Sequence, residues 1–306
     1  MDVVTLQSAA WRLAVSPRHG AGITALEALH AGAWTPVMRP TPDPAVREGV
    51  TSQFSSFTLA PYSNRIREAR FSFGGREHQL RPTNPQGTAQ HGDVRNRPWR
   101  AEVSGDGLTV TCSIDSRDFQ DSNYPYLYSV VVEYALHGER FDTTLTLTNR
   151  DQEPMPGGFG LHPYFTRRFD GAAEAALCFA AAGVYQTGDD RIPSAGMVPV
   201  PPELDFGRPR LVGEQFLDHG FGGWEGSASL EWPASGRKLV MRAGEVFTHL
   251  IVFTAPDGTL AIEPVTHATD AFNLAARGVE GTGMRVLQPG ESLSGTVSLT
   301  LENASS

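Results

Sequence analysis

The chain has 306 residues, 40% of them hydrophobic, and a formal net charge of −9 with a pI near 5.5. That balance argues against nucleic acid and anionic membranes as partners, since both reward basic surfaces, and no run approaches the ~18 apolar residues of a membrane span. Two cysteines, Cys112 and Cys178, make no disulfide framework, and Met1 to Thr5 show no basic and apolar leader, so a cytoplasmic protein is expected.

In chain order, Ile23 to His30 reads as a short helical turn, and nothing supports a long helix. Leu108, Val110, Cys112 and Ile114 alternate with threonine and serine, as do Leu145 and Leu147 and, near the end, Val297, Leu299 and Leu301. This period of two predicts strands with one buried and one polar face. Val130 to Val132 and Leu250 to Phe253 are continuous apolar runs, suited to strands covered on both faces. Between them, Arg191 to Phe206 is proline-rich but carries Ile192, Met197, Val198, Val200 and Leu204, which predicts a loop packed on the body of one domain spanning 1–306. The 32 glycines and 22 prolines interrupt these segments at short intervals, as in an all-β sandwich or barrel. Asn303 to Ser306 reads as a frayed tail.

Several chemistries are absent. There is no Gly-x-Ser-x-Gly elbow, no phosphate loop of the Gly-x-x-x-x-Gly-Lys type and no Cys-x-x-Cys pair. The nine histidines form no His-x-His or His-Glu-x-x-His pair, so a site without metal or cofactor is the economical reading. Four segments gather His, Arg, Asp and Glu beside turn formers: Ala60 to Arg67, Gln90 to Trp99, Gly160 to Phe165 and Ile262 to Thr266. Singly, each reads as an ordinary turn or core element, although Asp93, Arg95 and Arg97 beside Trp99 also suit a polar cleft with a wall for stacking a sugar. His162 and Glu263 each precede a proline, which disfavours helix and predicts extended backbone at both. An imidazole and a carboxylate held that way form an acid/base pair if the fold joins them. Glu263 also follows Leu260, Ala261 and Ile262, and a carboxylate buried there needs a partner or a task.

Taken in order, Asn64-Arg65-Ile66, His91-Gly92, His162-Pro163-Tyr164-Phe165, Leu217-Asp218-His219-Gly220-Phe221 and Glu263-Pro264-Val265-Thr266 resemble the aldose 1-epimerase (galactose mutarotase) family. The resemblance runs from about Ala60 to Leu293. It implies a large antiparallel β-sandwich with few short helices and a sugar site on a concave face. It implies interconversion of the α and β anomers of a free aldose, with Glu263 as base on the anomeric hydroxyl and His162 as acid on the ring oxygen. Arg65, His91 and Asp218 are then the substrate-binding residues, and the partner is a small-molecule sugar.

The second segment departs from the best-known members and is closer to a His-Gly-x-x-Arg-x-x-x-Trp pattern, found in bacterial branches of which one works on hexose 6-phosphates. Arg67, Arg95 and Arg97 are candidates there for a phosphate clamp. Against that reading, His162 to Phe165, Glu263 to Thr266 and Asp270 to Asn273 match the neutral-sugar pattern. A non-catalytic carbohydrate-binding module is a third reading, since a fold does not define an activity. Tyr62, Asn123, Tyr124 and Trp224 are candidate specificity residues, and an exposed sheet edge allows a monomer or a homodimer.

Overall fold

Residues 3–171 and 173–304 are described in the computed structural model. The expected alternation builds it. Along Thr109–Asp115, Val110, Cys112 and Ile114 are buried while the residues between them are partly exposed. This strand pairs with Arg100–Val103 and with Tyr128–His137, and the latter pairs in turn with Arg140–Asn149. Ser292–Asn303 and Arg237–Ala243 continue the sheet. Asp218–Trp232, His249–Thr254 and Leu260–Val265 complete its central part, within a 14-stranded sheet whose ladders are antiparallel.

A second, four-stranded antiparallel sheet is made of Val4–Gln7, Trp11–Ser16, Gly22–His30 and Ala33–Pro36. It packs on the long sheet through one shared apolar core. Trp11 lies against Phe141 with ring centroids 6.4 Å apart and donates its indole N–H to Glu139 O at 2.9 Å. The Tyr134 hydroxyl donates to Ala21 O at 2.8 Å. The fold is therefore a large antiparallel β-sandwich. Among the described residues there are two α-helices, Asp43–Glu48 and Ala271–Ala276, of six residues each, and none of the described helices is long and apolar enough to cross a membrane.

The helical turn expected at Ile23 to His30 is instead the strand Gly22–His30. Ile23 and Leu26 share a helical spacing, but Leu26 and Ala28 are buried while Ala25 and Glu27 are not. The left-handed pair Ala31 (φ 49°) and Gly32 (φ 80°) closes it into a hairpin with Ala33–Pro36. Leu250, Ile251 and Val252 are covered on both faces, whereas Val131 is half-buried. The 191–206 loop is packed down by Ile192, Leu204 and Phe206, and Val198 exchanges backbone hydrogen bonds with Val184 at 2.9 Å. Asn303 remains in the last strand, opposite Arg237, while Ser305 and Ser306 lie outside the described residues.

Candidate active site

The register of Leu260–Val265 explains how residues a hundred positions apart meet. One edge of this strand pairs with Gly160–Leu161 at Gly160↔Val265, and with Tyr164–Phe165 at Tyr164↔Ala261. Carried through the two residues between, that register sets His162 opposite Glu263. The other edge pairs Glu263 with Ile251, which in turn faces Gly220. Opposed residues share a face of a sheet, and so do residues two apart. His162, Tyr164, Glu263, Ile251, Phe253 and Asp218 therefore project from one face, where they line a cleft of about 270 Å³.

The wall beyond comes from a different ladder. Arg65–Ile66 pairs with Ala89–Gln90, and His91 N donates to Asn64 O at 2.8 Å, so Arg65 and His91 enter the cleft side by side. Both Asn64 (φ 54°) and His91 (φ 63°) are left-handed. Gly92 follows at φ +70°, and a Cβ there would stand 1.9 Å from Ala60 O. The glycine after His91 is thus required by backbone approach as well as by its dihedral. All five residues expected to form the site, Arg65, His91, His162, Asp218 and Glu263, line this one cleft.

At its floor His162 Nε2 lies 3.2 Å from Glu263 Oε1. Glu263 is 2% exposed and His162 6%. Phe57 and Tyr164 flank the imidazole, each with its ring centroid 4.6 Å away. Burial is the main cause holding His162 well below the usual imidazole range, aided by the Arg95 and Arg39 charges. Burial likewise pushes Glu263 well above the usual carboxylate range, reinforced by Asp218 and opposed by Arg65. The pair therefore holds one proton between two sites that both resist charge. His162 Nδ1 and Glu263 Oε2 have no hydrogen-bond partner among the described residues. Buried polar atoms are normally satisfied, so these two are open to a ligand.

His91 is also held neutral, first by burial and then by Arg95. Its ring stands edge-on to His162 at 5.2 Å, and Gln90 Nε2 donates to its Nε2 at 3.0 Å. An imidazole accepting at Nε2 carries its proton on Nδ1, and that atom has no partner among the described residues. Arg65 donates to Asn64 Oδ1 at 3.2 Å. Asp218 begins its strand rather than sitting in a turn, with Arg191 Nε 3.8 Å from its carboxylate.

Other expectations fail. Trp99 is no stacking wall: it is buried in the core, with its N–H on Val94 O at 3.2 Å. Tyr62, Tyr124 and Trp224 are also core residues, and Asn123 is spent on the Arg81 backbone. The three-arginine clamp is not assembled either. Arg67 is tied to Asp190 at 2.6 Å, and Arg97 to Asp93 and Asp121 at 3.0 and 2.7 Å, leaving Arg95 alone at the cleft. Phe57, missed entirely, had no signal in Ser55-Ser56-Phe57-Thr58. Among the described residues no three or more His, Cys, Asp or Glu gather to hold a metal ion.

Such a sandwich is the fold of galactose mutarotase-like proteins, and comparison with known proteins agrees. One, from Clostridium acetobutylicum, superposes with a TM-score of 0.86 at 18% identity, covering 98% of this chain and 94% of that one. The GalM/aldose epimerase homologue from C. elegans gives 0.84 at 16%, covering 99% of each. The chain belongs to the aldose 1-epimerase family, whose sequence model matches residues 2–300. It is 28% identical over 316 residues to the uncharacterized protein YphB of Escherichia coli (strain K12), covering 99% of each.

Proposed function

We propose that the protein is an aldose 1-epimerase that interconverts the anomers of a monosaccharide by ring opening and reclosure. The observation that carries the reading is the His162–Glu263 contact at the cleft floor, with one further atom of each residue unpartnered among the described residues. In the reactive form the shared proton sits on His162 and Glu263 is ionised. Glu263 takes the proton of the anomeric O1 hydroxyl while His162 protonates the ring oxygen, and the C1–O5 bond breaks to give the open aldehyde. The pair has lost one proton and gained one, so it again holds one, now on Glu263. After rotation about C1–C2, His162 recovers its proton from the O5 hydroxyl and Glu263 returns one to the carbonyl oxygen. Ring closure then yields the other anomer, and no net proton has entered or left.

Arg65, His91 and Asp218 orient the sugar. The guanidinium and the Nδ1–H of His91 donate to ring and hydroxyl oxygens, and Asp218 accepts from hydroxyls. Polarimetry or NMR saturation exchange on freshly dissolved α-glucose, α-galactose and their uronic acids tests the reading. Acceleration of anomer exchange is expected. Sugar binding with exchange at the uncatalysed rate would replace it by a binding module.

A further inference from the structure

Arg95 has no assigned role in the chemistry above. Its guanidinium lines the cleft half-buried, and makes no hydrogen bond or ion pair with any described residue. Neighbouring arginines differ: Arg39, Arg67, Arg97 and Arg191 each face an aspartate, and Arg65 holds Asn64. Among the described residues Arg95 lies over the face of Phe57, 5.3 Å away, and faces no carboxylate. A partly desolvated cation without a counter-charge is costly unless something supplies one.

Its position within the cleft indicates which part of a sugar it meets. Phe57 packs on His162 at 4.6 Å and on His91 at 5.8 Å, so Arg95 stands at the imidazole end. The electrostatics agree: Arg95 is the first charge acting on both His91 and His162 and is absent from those acting on Glu263, while Arg65 acts on all three. Arg95 thus stands beside the two imidazoles, through Phe57, while Glu263 meets them from the other side of His162. A pyranose with O1 at Glu263 and its ring oxygen at His162 continues past that oxygen to C5, and then to the exocyclic carbon C6. In that pose C6 lies on the imidazole side of the cleft, the side on which Arg95 stands.

We propose that the cleft selects an aldose bearing one carboxylate at C6, a hexuronate, and that Arg95 binds that carboxylate. This rests on the epimerase reading above. A single guanidinium matches a single negative charge, and its planar fork matches the two oxygens of a carboxylate. A phosphate dianion asks for more positive charge than Arg95 supplies, because Arg67 and Arg97 are held by their own aspartates and Arg65 is turned to Asn64.

The test is anomer exchange followed by NMR on glucuronate, galacturonate, glucose, galactose and glucose 6-phosphate, with wild type, Arg95→Gln and Arg95→Lys. Wild type is expected to favour a uronate over the matching neutral sugar by roughly 10- to 100-fold in kcat/KM, the range of a hydrogen bond to a charged group. Arg95→Gln should collapse that ratio, mostly through KM for the uronate, and Arg95→Lys, which keeps the charge but not the fork, should restore part of it. Equal or better turnover of neutral sugars by wild type overturns the hexuronate assignment while leaving the epimerase intact. Preference for the 6-phosphate overturns the single-charge argument, and a uronate preference that survives in Arg95→Gln overturns the role of Arg95. No acceleration on any sugar overturns this inference and the epimerase together. The wild-type comparison decides the substrate class even if a variant fails to fold.

Discussion

Acidification should unfold this protein through two histidines that lie outside the cleft. His249 and His267 are each 2% exposed, and burial lowers both to about 4. Their ring nitrogens are committed to neutral partners. His267 donates from Nδ1 to Ala268 O at 2.8 Å and accepts at Nε2 from Ser63 N at 3.1 Å, so a second ring proton would meet a donor. His249 contacts the Thr248 hydroxyl at 2.8 Å and the Tyr185 hydroxyl at 3.1 Å. In the unfolded chain both titrate near ~6.5. Because the folded values are depressed, the stability they contribute is fully present above about 6.5 and is lost as pH falls towards 4. Each pH unit in that window costs about 1.4 kcal/mol per histidine, hence about 3–4 kcal/mol each and about 7 for the two. That is comparable to the whole stability of many domains. His91 and His162 shift in the same direction and steepen the loss. Glu263 and Asp270, both raised by burial, act with the opposite sign, so a variant is needed to isolate one contribution. Urea unfolding of wild type and His267→Gln at pH 6.5 and 5.0 provides the difference. The variant should lose about 2 kcal/mol less than wild type over that interval. Equal losses, or an NMR titration of folded His267 near 6.5, would refute the reasoning.

Glu263→Gln and His162→Asn should each lower kcat by roughly 10²–10⁴-fold, the usual contribution of a proton-transfer group; near-normal exchange in either sinks the mechanism. Glu263→Gln should melt no lower than wild type at pH 7, because its raised carboxyl contributes stability below the ordinary carboxylate range and loses it as pH rises. The pH profile of kcat/KM should place its acid limb below the ordinary imidazole range and its alkaline limb above the ordinary carboxylate range, since burial lowers His162 and raises Glu263. An acid limb at the ordinary imidazole value would mean that His162 titrates unperturbed. Gly92→Ala, forced into Ala60 O at φ +70°, should cost about 2–4 kcal/mol and displace His91, visible as a lower Tm together with a higher KM.

Much of the site was legible because it rests on local backbone rules. Proline after His162 and after Glu263 restricts the backbone at both positions, and the strand Leu260–Val265 and the extended run through His162 follow. The strands of the long sheet were legible through alternation, whereas Gly22–His30 was misread because Ile23 and Leu26 satisfy a helical spacing as readily as a strand face. What local rules could not supply was partnership. Among Arg65, Arg67, Arg95 and Arg97, which cation is left for a substrate depends on aspartates at 121, 190 and 270, brought in by distant segments. Trp99 looked like a cleft residue because three charged neighbours precede it, but Arg97 turns to Asp93 and Asp121 while the indole turns into the core.

The same distinction explains why the proposed acid and base belong to different strands. Within one extended segment, neighbouring side chains point to opposite faces and residues two apart are only loosely coupled. Opposed residues on adjacent strands bring their Cβ atoms to within ~4.5–5.5 Å, which lets an imidazole and a carboxylate touch while each keeps an atom free. Phe57 and Tyr164 then exclude water from the imidazole. Without that exclusion, the ordinary values of about 6.5 for an imidazole and about 4.3 for a carboxylate would hold a shared proton on His162. With it, burial disfavours both charged forms, which offsets that preference. Reversible anomer exchange asks for that indifference, because the residue that donates in one direction must accept in the other.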